Sequence, residues 1–310
     1  MSFTLAESAE LSQNLMVKGI IEELLKTSPM IAKLPFIELV GNALAINRED
    51  EDNLGSVQFR SVGGTWTGSV AHFDQVTYAL TVLGGDADVD NFIQKTRSNI
   101  NDQMAAQVKV KAKLMAHAFE DKLVYGDDTS TNEFDGLHTL TSTTGPQVHC
   151  GSSATGGALT IAKLDEAIDL CMGGRPDAIL LNKPVNRRLS QYLRTVGSYT
   201  TERDDWGNYF AVYNGIPIIP TDWITQTETI SSSAYAAKTG GACSSAFVIH
   251  MGEMEGLVGL QNGGIQTEVW ERLESKDASR TRIKWYVGLA LYGTKSLVRI
   301  DGITNAAVTA

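Results

Sequence analysis

From Phe92 to Tyr125 the chain runs without a single glycine or proline. Its composition there leans on Gln, Lys, Ala, Met, Leu and Glu, all good helix formers. Ile93, Ile100, Met104, Val108, Met115 and Phe119 recur at helical spacing, with Ala105, Ala112, Ala116 and Leu123 beside them. One side of a continuous helix therefore wants burial along its whole length. Asn91 with Gln94 offers a relative of the capping box at the start, and Gly126 suits the left-handed position just past the end. At 1.5 Å per residue such a rod is about 50 Å long, beyond the three or four turns of an ordinary globular helix. A core helix or a coiled-coil segment would carry the same pattern, whereas a compact enzyme domain rarely needs one this long.

At 310 residues the chain has room for a sizeable core and about two domains. Its net charge of −10 argues against a protein that coats nucleic acid through a basic face, though not against one that encloses nucleic acid at a distance. Cys150, Cys171 and Cys243 are odd in number and lack CxxC spacing, which points to a reduced cytosolic setting over a disulfide framework. Glu7 and Glu10 stand where a signal peptide would be basic, and no apolar run reaches membrane-spanning length.

Taken in order, an apolar stripe of Leu11, Leu15, Ile20, Ile21, Leu24 and Leu25 predicts a helix over roughly residues 8–26, followed by an irregular stretch with Met30, Ile31, Leu34 and Phe36. Residues 37–83 read as a long hairpin: Val57, Phe59 and Ser61 alternate with polar residues, Gly63-Gly64 offers a turn, and Val76, Tyr78, Leu80 and Val82 alternate on the return. At the hairpin base stands the acidic run Arg48-Glu49-Asp50-Glu51-Asp52, whose ordinary meaning is a solvated loop. After the rod, the Gly/Ser/Thr-rich segment 141–157 reads as a loop. Helices are expected over 161–172 and 184–196, the second with Asn182 in capping position, and a buried strand over 178–181. Asn214-Gly215 between two apolar runs predicts a tight hairpin. The tail returns to strands over 246–251, 265–270, 282–291 and 296–301.

Chemistry is sparse. GxGxxG, Walker-type GxxxxGK[ST], GxSxG and HExxH are all absent, and the histidines lie apart in sequence. His117 with Glu120 can share one helical face, His149-Cys150 can be read as a base and nucleophile, and Asp204-Asp205 with Glu202 as a cation site. Each has an ordinary structural reading as well, a surface pair or a polar loop. No catalytic, cofactor or metal residue is assigned.

The order of parts, an N-terminal arm, an extended hairpin, an uninterrupted spine helix, an α/β domain and a return to long strands, resembles the tailed-phage major capsid proteins of the Hong Kong 97-like fold. Local sequence agrees: Tyr125-Gly126-Asp127 with Phe134-Asp135-Gly136-Leu137 after the rod, Asn214-Gly215-Ile216-Pro217-Ile218-Ile219-Pro220-Thr221-Asp222, Met254-Glu255-Gly256-Leu257, and the strand Arg282-Ile283-Lys284-Trp285-Tyr286. The resemblance covers essentially the whole chain and rests on the order and spacing of these motifs.

It implies an α+β fold with an N-arm (1–36), an extended hairpin loop (37–83), a peripheral domain with the spine helix (84–135), an axial domain (136–255) and return strands of the peripheral domain (256–310). It implies assembly and no enzymatic activity: an icosahedral virion shell of hexamers and pentamers, made in the host cytoplasm around double-stranded DNA, with no membrane and with scaffolding, portal and decoration proteins as separate chains. An encapsulin-like compartment shares the layout, and a small-molecule enzyme on the α/β half is the alternative of another class. Some members of the family lock their shells by joining a hairpin lysine to a neighbour's asparagine. Here no lysine stands between Lys33 and Lys95, so a non-covalent shell is expected. Candidate interface residues are the run Arg48, Glu49, Asp50, Glu51 and Asp52 against the basic run Arg272, Lys276, Arg280, Arg282 and Lys284 of a neighbouring copy.

Overall fold

The computed structural model describes residues 29–49, 57–92, 95, 103–129, 132–143, 145–151, 156–172, 174–203, 209–229, 238–270, 273 and 276–309. The expected helix over residues 8–26, most of 93–102, Asp50 to Asp52, Asp204, Asp205 and Arg272 lie outside them. The described chain runs through helix α1 (Pro29–Lys33), strands β1 (Phe36–Glu38), β2 (Ala43–Glu49), β3 (Phe73–Ala79) and β4 (Thr81–Asp90), and the long helix α2 (Gln103–Tyr125). Next come α3 (Leu137–Thr143), β5 (Gln147–His149), α4 (Ile161–Leu170), β6 (Ala178–Asn182) and α5 (Lys183–Val196). Strands β7 (Thr200–Arg203), β8 (Tyr209–Tyr213), β9 (Ile216–Thr221), β10 (Ser244–Ile249), β11 (Leu257–Trp270), β12 (Ala278–Leu291) and β13 (Leu297–Ile303) follow.

These strands form a four-stranded sheet, β1-β11-β12-β4, a seven-stranded sheet, β5-β13-β10-β6-β9-β8-β7, and the separate ribbon β2-β3. Strand alternation assigns the layers. On the larger sheet Leu180, Ile219, Phe247 and Ile249 face the core that contains α2 and α3. Their neighbours Ile179, Leu181, Ile218, Val248, Val298 and Ile300 face a second core under α4 and α5. A sheet covered on both faces is largely apolar, which is why residues 178–181 of β6 and 246–249 of β10 read as continuous hydrophobic runs.

Over its outer part the smaller sheet is covered on one face, whereas residues 257–260 and 287–291 near the crossovers are buried throughout. Ala87, Val89, Ile283, Trp285 and Val287 are buried, while Val82, Asp88, Arg280, Arg282 and Lys284 between them are not. Helix α2 supplies the cover through Val108, Ala112, Met115, Ala116 and Phe119, and farther along Leu123 and Val124 belong to the same core as the larger sheet's Phe247. An aromatic cluster marks the crossing: the Phe119 ring lies 5.1 Å from Trp285 and 5.9 Å from Phe134, and Phe36 lies 5.4 Å from Trp285.

Several expectations change. The ribbon partner of β3 is Ala43–Glu49 rather than 57–61, with Ala43 opposite Ala79 and Glu49 opposite Phe73. The Asn91 side chain is engaged with Asp277 and Ser279, and it is the Asp90 carboxylate that accepts the Phe92 N–H, at 2.8 Å. Gly126 is not left-handed. Glycine is required there because a Cβ would fall on the Phe134 and Lys122 carbonyls, and Gly136 is pressed against the same turn, its N–H bonded to the Gly126 carbonyl at 3.0 Å. Residues 141–157, expected as a loop, hold the end of α3 and the strand β5, which pairs in parallel with β13. The irregular stretch after the arm begins as α1, with Met30 fully buried. Asn182 precedes α5 but makes no cap bond, because its amide reaches the Ile224 carbonyl instead. In the tail, β11 and β12 lie with β4, whereas β13 enters the larger sheet between β5 and β10.

Val108 is 5% exposed and is the first buried residue on the core face of α2, in its second turn. Val108→Pro removes a backbone donor and clashes with the preceding turn, a cost of about 3 kcal/mol or more. At this chain length that corresponds to a drop of roughly 5 °C or more in melting temperature. Calorimetry showing an unchanged transition would rule out a continuous, packed α2.

Candidate assembly interface

The ribbon leaves the body of the molecule carrying its apolar side chains outward. Near its root Ile46 and Tyr78 are buried in the main core. Farther out, Val57, Phe59 and Val62 are fully exposed, and Trp66, Val70 and Phe73 are exposed as well. The tip is nevertheless ordered by its own contacts. The Gly64 N–H bonds to the Ser61 carbonyl at 3.0 Å across a turn in which Gly63 has φ +86°. The Arg60 guanidinium lies 4.2 Å over the Trp66 ring and donates to the Gly64 carbonyl at 2.9 Å, while the indole N–H donates to the Gln58 carbonyl at 3.1 Å. An ordered apolar protrusion of this kind is the usual mark of a surface that is covered in use.

A second surface is the open face of the four-stranded sheet. Register places Asp88 opposite Arg280 and Asp86 opposite Arg282. Both pairs are two-pronged: Arg280 Nε and Nη2 donate to the Asp88 oxygens at 2.6 and 2.7 Å, and Arg282 Nε and Nη2 to the Asp86 oxygens at 2.6 and 2.8 Å. Arg280 also reaches Asp86 at 3.3 Å, Lys284 pairs with Glu268, and the Arg282 guanidinium covers the Trp270 ring at 5.0 Å. The Arg282 hydrogen bond first, then the charges of Arg282 and Arg280, hold the Asp86 carboxyl below its ordinary range. The hydrogen bond from Arg280 does the same for Asp88.

Of the candidate interface residues, then, Arg280, Arg282 and Lys284 already have partners within the chain, Lys276 is exposed near Asp88, and Glu49 is exposed at the outer end of β2. Arg48 turns inward: it donates to the Tyr292 carbonyl at 2.9 Å and the Tyr78 hydroxyl at 2.5 Å. Sequence reasoning passed over Asp86 and Asp88. Their alternation matches that of Arg280 and Arg282, but only strand register shows that the two pairs meet.

Where α2 and α3 press on the larger sheet, a buried polar seam replaces apolar contact. Glu228, 2% exposed, accepts from Tyr125 Oη at 2.5 Å and from Ser245 Oγ at 2.5 Å, and lies 3.1 Å from His138 Nε2. Arg299, also buried, donates to Ser245 at 3.4 Å and stands 3.8 Å from Asp301, whose other oxygen meets His149 Nδ1 at 2.6 Å. Burial keeps Tyr125 a neutral phenol, with Glu228 adding to the effect, and holds His138 below the ordinary histidine value. Breaking such a buried pair by removing one partner typically costs about 3–5 kcal/mol.

Among the described residues, the chemistry considered from sequence does not assemble into a reacting site. Cys150 is buried and its thiol is pushed up to about 12 by desolvation and Asp301, the reverse of an activated nucleophile. His117 is exposed and rests 5.4 Å from the Trp223 ring, whereas Glu120 is buried. Asp127, Asp128 and Asp135 have oxygens within 4.8 Å of one another, among the described residues the group best suited to a hard cation. Their oxygens serve the turn itself, accepting from Thr129 and the Asp128 N–H.

A family model described as SU10 major capsid protein matches residues 83–246, more than half of the chain. The chain belongs to that family. Among curated protein sequences nothing matches it. Solved structures similar to the capsid protein include a chain of the holo-SrpI encapsulin complex from Synechococcus elongatus PCC 7942, 17% identical with a TM-score of 0.69 over 91% of this chain and 89% of that one. The capsid of a native GTA particle is 12% identical, TM-score 0.59, over 90% and 91%. The capsid of the cyanophage P-SCSP1u is 11% identical, TM-score 0.56, over 87% and 86%. At these identities the likeness establishes the Hong Kong 97-like fold. The family establishes a major capsid protein, a structural component of a virion shell built by self-assembly.

A carboxylate whose folded value is depressed adds stability above its unfolded value and loses it as pH falls through the folded one. Asp86→Asn in the capsid protein should therefore lower the melting temperature near neutrality. The difference from wild type should close as pH falls below 3.8, the ordinary carboxylate value. A gap that persists unchanged in acid would mean that Asp86 does not stabilise the sheet through its charge.

Proposed function

We propose that the capsid protein forms hexamers and pentamers that close into an icosahedral shell around double-stranded DNA in the host cytoplasm, without reading its sequence and without enzymatic activity. Scaffolding, portal and decoration proteins would be separate chains. The observation that carries this reading is the ordered, outward-facing apolar tip, with Val57, Phe59 and Val62 fully exposed. Covering such groups is favourable by about 25 cal/mol per Å² removed from water, and a second copy of the same chain is always present at the right stoichiometry. The net charge of −10 supports enclosure without adhesion, since acidic walls release DNA that basic walls would hold.

In this reading residues 1–36 act as the arm, 37–83 as the extended loop, 84–135 with the β11 and β12 strands of 256–310 as the peripheral part, and 136–255 as the axial part, which β13 also joins. The encapsulin likeness keeps a second cargo open, because the same fold can enclose protein. Electron microscopy of purified particles separates the two: one modified vertex and packaged DNA support the virus shell, and a co-purifying enzyme supports the compartment. The direct test of the interface is Phe59→Ser with Val62→Ser. It should leave the melting temperature of the subunit within about 1 °C, as exposed substitutions do, and abolish particles. Normal particles from that variant would sink the hairpin reading.

The charged runs 48–52 and 272–284 enter as a contact between copies, now in competition with pairs inside one chain. Exposed pairs are worth roughly 0–1 kcal/mol each, so the contact would matter only through repetition. Arg280→Glu with Arg282→Glu is expected to impair assembly. Rescue by Glu49→Arg with Glu51→Arg would indicate pairing between copies. Rescue only by Asp86→Arg with Asp88→Arg would confine these arginines to their own sheet.

A further inference from the structure

The ribbon β2-β3 forms a sheet of its own and is joined to the body at a narrow root. On one strand the root is Gly41, at φ +120°, and Asn42, whose carbonyl accepts the Leu80 N–H at 2.8 Å. On the other it is Leu80 alone, because β3 ends at Ala79 and β4 begins at Thr81. Opposite this junction Gly288 leaves room for the chain to turn, since a Cβ there would stand 2.9 Å from the Ala79 carbonyl. A root so short has the form of a hinge.

Farther out the ribbon is tied down once more, by Arg48. Its Nε donates to the Tyr292 carbonyl at 2.9 Å, and Nη2 donates to the Leu291 carbonyl and to the Tyr78 hydroxyl at 2.5 Å. Tyr78 donates in turn to the Leu291 carbonyl at 3.3 Å. Those carbonyls are not ordinary positions. Residues 292–296 carry the chain from the four-stranded sheet into the seven-stranded one, and residues 250–256 carry it the other way. The two crossovers are bonded side by side, His250 N–H to the Ser296 carbonyl at 2.9 Å and Tyr292 N–H to the Gly256 carbonyl at 3.1 Å. Between ribbon and crossovers lies a crevice of about 600 Å³, lined by Ile46, Arg48, Met254, Glu255, Tyr292 and Lys295. The ribbon is thus held here by a guanidinium fork together with the buried Ile46 and Tyr78 side chains, beside open space.

We propose that Arg48 is a latch that couples the angle of the extended ribbon to the junction between the two sheets, so that the two move as one conformational variable. A planar fork with several donors can hold two carbonyls and a hydroxyl at once, which a lysine cannot do. The consequence for shells rests on the assembly reading above: a neighbour that seizes the ribbon would then act on the sheet junction. The coupling itself is a property of one chain and is tested separately.

The experiment is hydrogen exchange by mass spectrometry on the full chain, with wild type, Arg48→Met, Arg48→Lys and Tyr78→Phe. Arg48→Met should speed exchange by about tenfold or more in 43–49 and 73–79, and equally in 289–296, while β6 keeps its wild-type protection. Arg48→Lys should resemble Arg48→Met, and Tyr78→Phe should shift both segments in the same direction by less. If Arg48→Met gives no particles, the same comparison is made on unassembled subunits of wild type and variant. Loss of particles bears on the shell reading, and exchange bears on the latch. Faster exchange in the ribbon with 289–296 unchanged, or a lysine variant indistinguishable from wild type, would overturn the proposal.

Discussion

The packing of α2 across two sheets is the contact on which the remaining architecture depends. Val108 to Phe119 cover the inner face of the four-stranded sheet, and Leu123 and Val124 share a core with the inner face of the seven-stranded one. Among the described residues, neither inner face has another long helix to bury it. Full burial of a side chain such as Phe119 contributes about 1.5–3 kcal/mol, and the Phe36–Phe119–Trp285 cluster adds ring geometry to that. A helix that serves both sheets also fixes their separation, so the crossovers at 250–256 and 292–296 need to carry only the chain.

Where α2 ends, polarity takes over. Glu228, Ser245, Arg299, Asp301 and His138 are all buried at the same seam. An apolar seam of equal size would often be as stable or more so, because buried ions must overcome their own desolvation. A polar one accepts a single alignment, since each donor must meet its acceptor. For a subunit that must repeat one geometry in a closed shell, alignment matters as much as stability.

The outward parts follow opposite physical rules. The ribbon tip exposes apolar groups that a lone subunit would bury if it could, and Arg60 stacked on Trp66 keeps them displayed. The open face of the smaller sheet instead neutralises its own charges through cross-strand pairs. One surface is prepared for a partner, and the other is largely complete without one.

What the sequence determined by itself was the set of local elements. The run without breakers dictated the long helix, Asn214-Gly215 dictated its hairpin with both residues at positive φ, and continuous apolar runs dictated the buried strands of the larger sheet. Their order was enough to read the α+β capsid fold. Only tertiary structure decided which strands became neighbours: β2 and not 57–61 beside β3, β5 emerging from a polar stretch, and β13 inserted into the larger sheet. The same holds for Arg48, which sits in an acidic run by sequence and beneath two main-chain carbonyls in space. The reason is physical: helices and tight turns are closed by hydrogen bonds between residues a few positions apart. Strand register and the partners of a charged side chain are settled by groups hundreds of residues away, whose proximity no local pattern encodes.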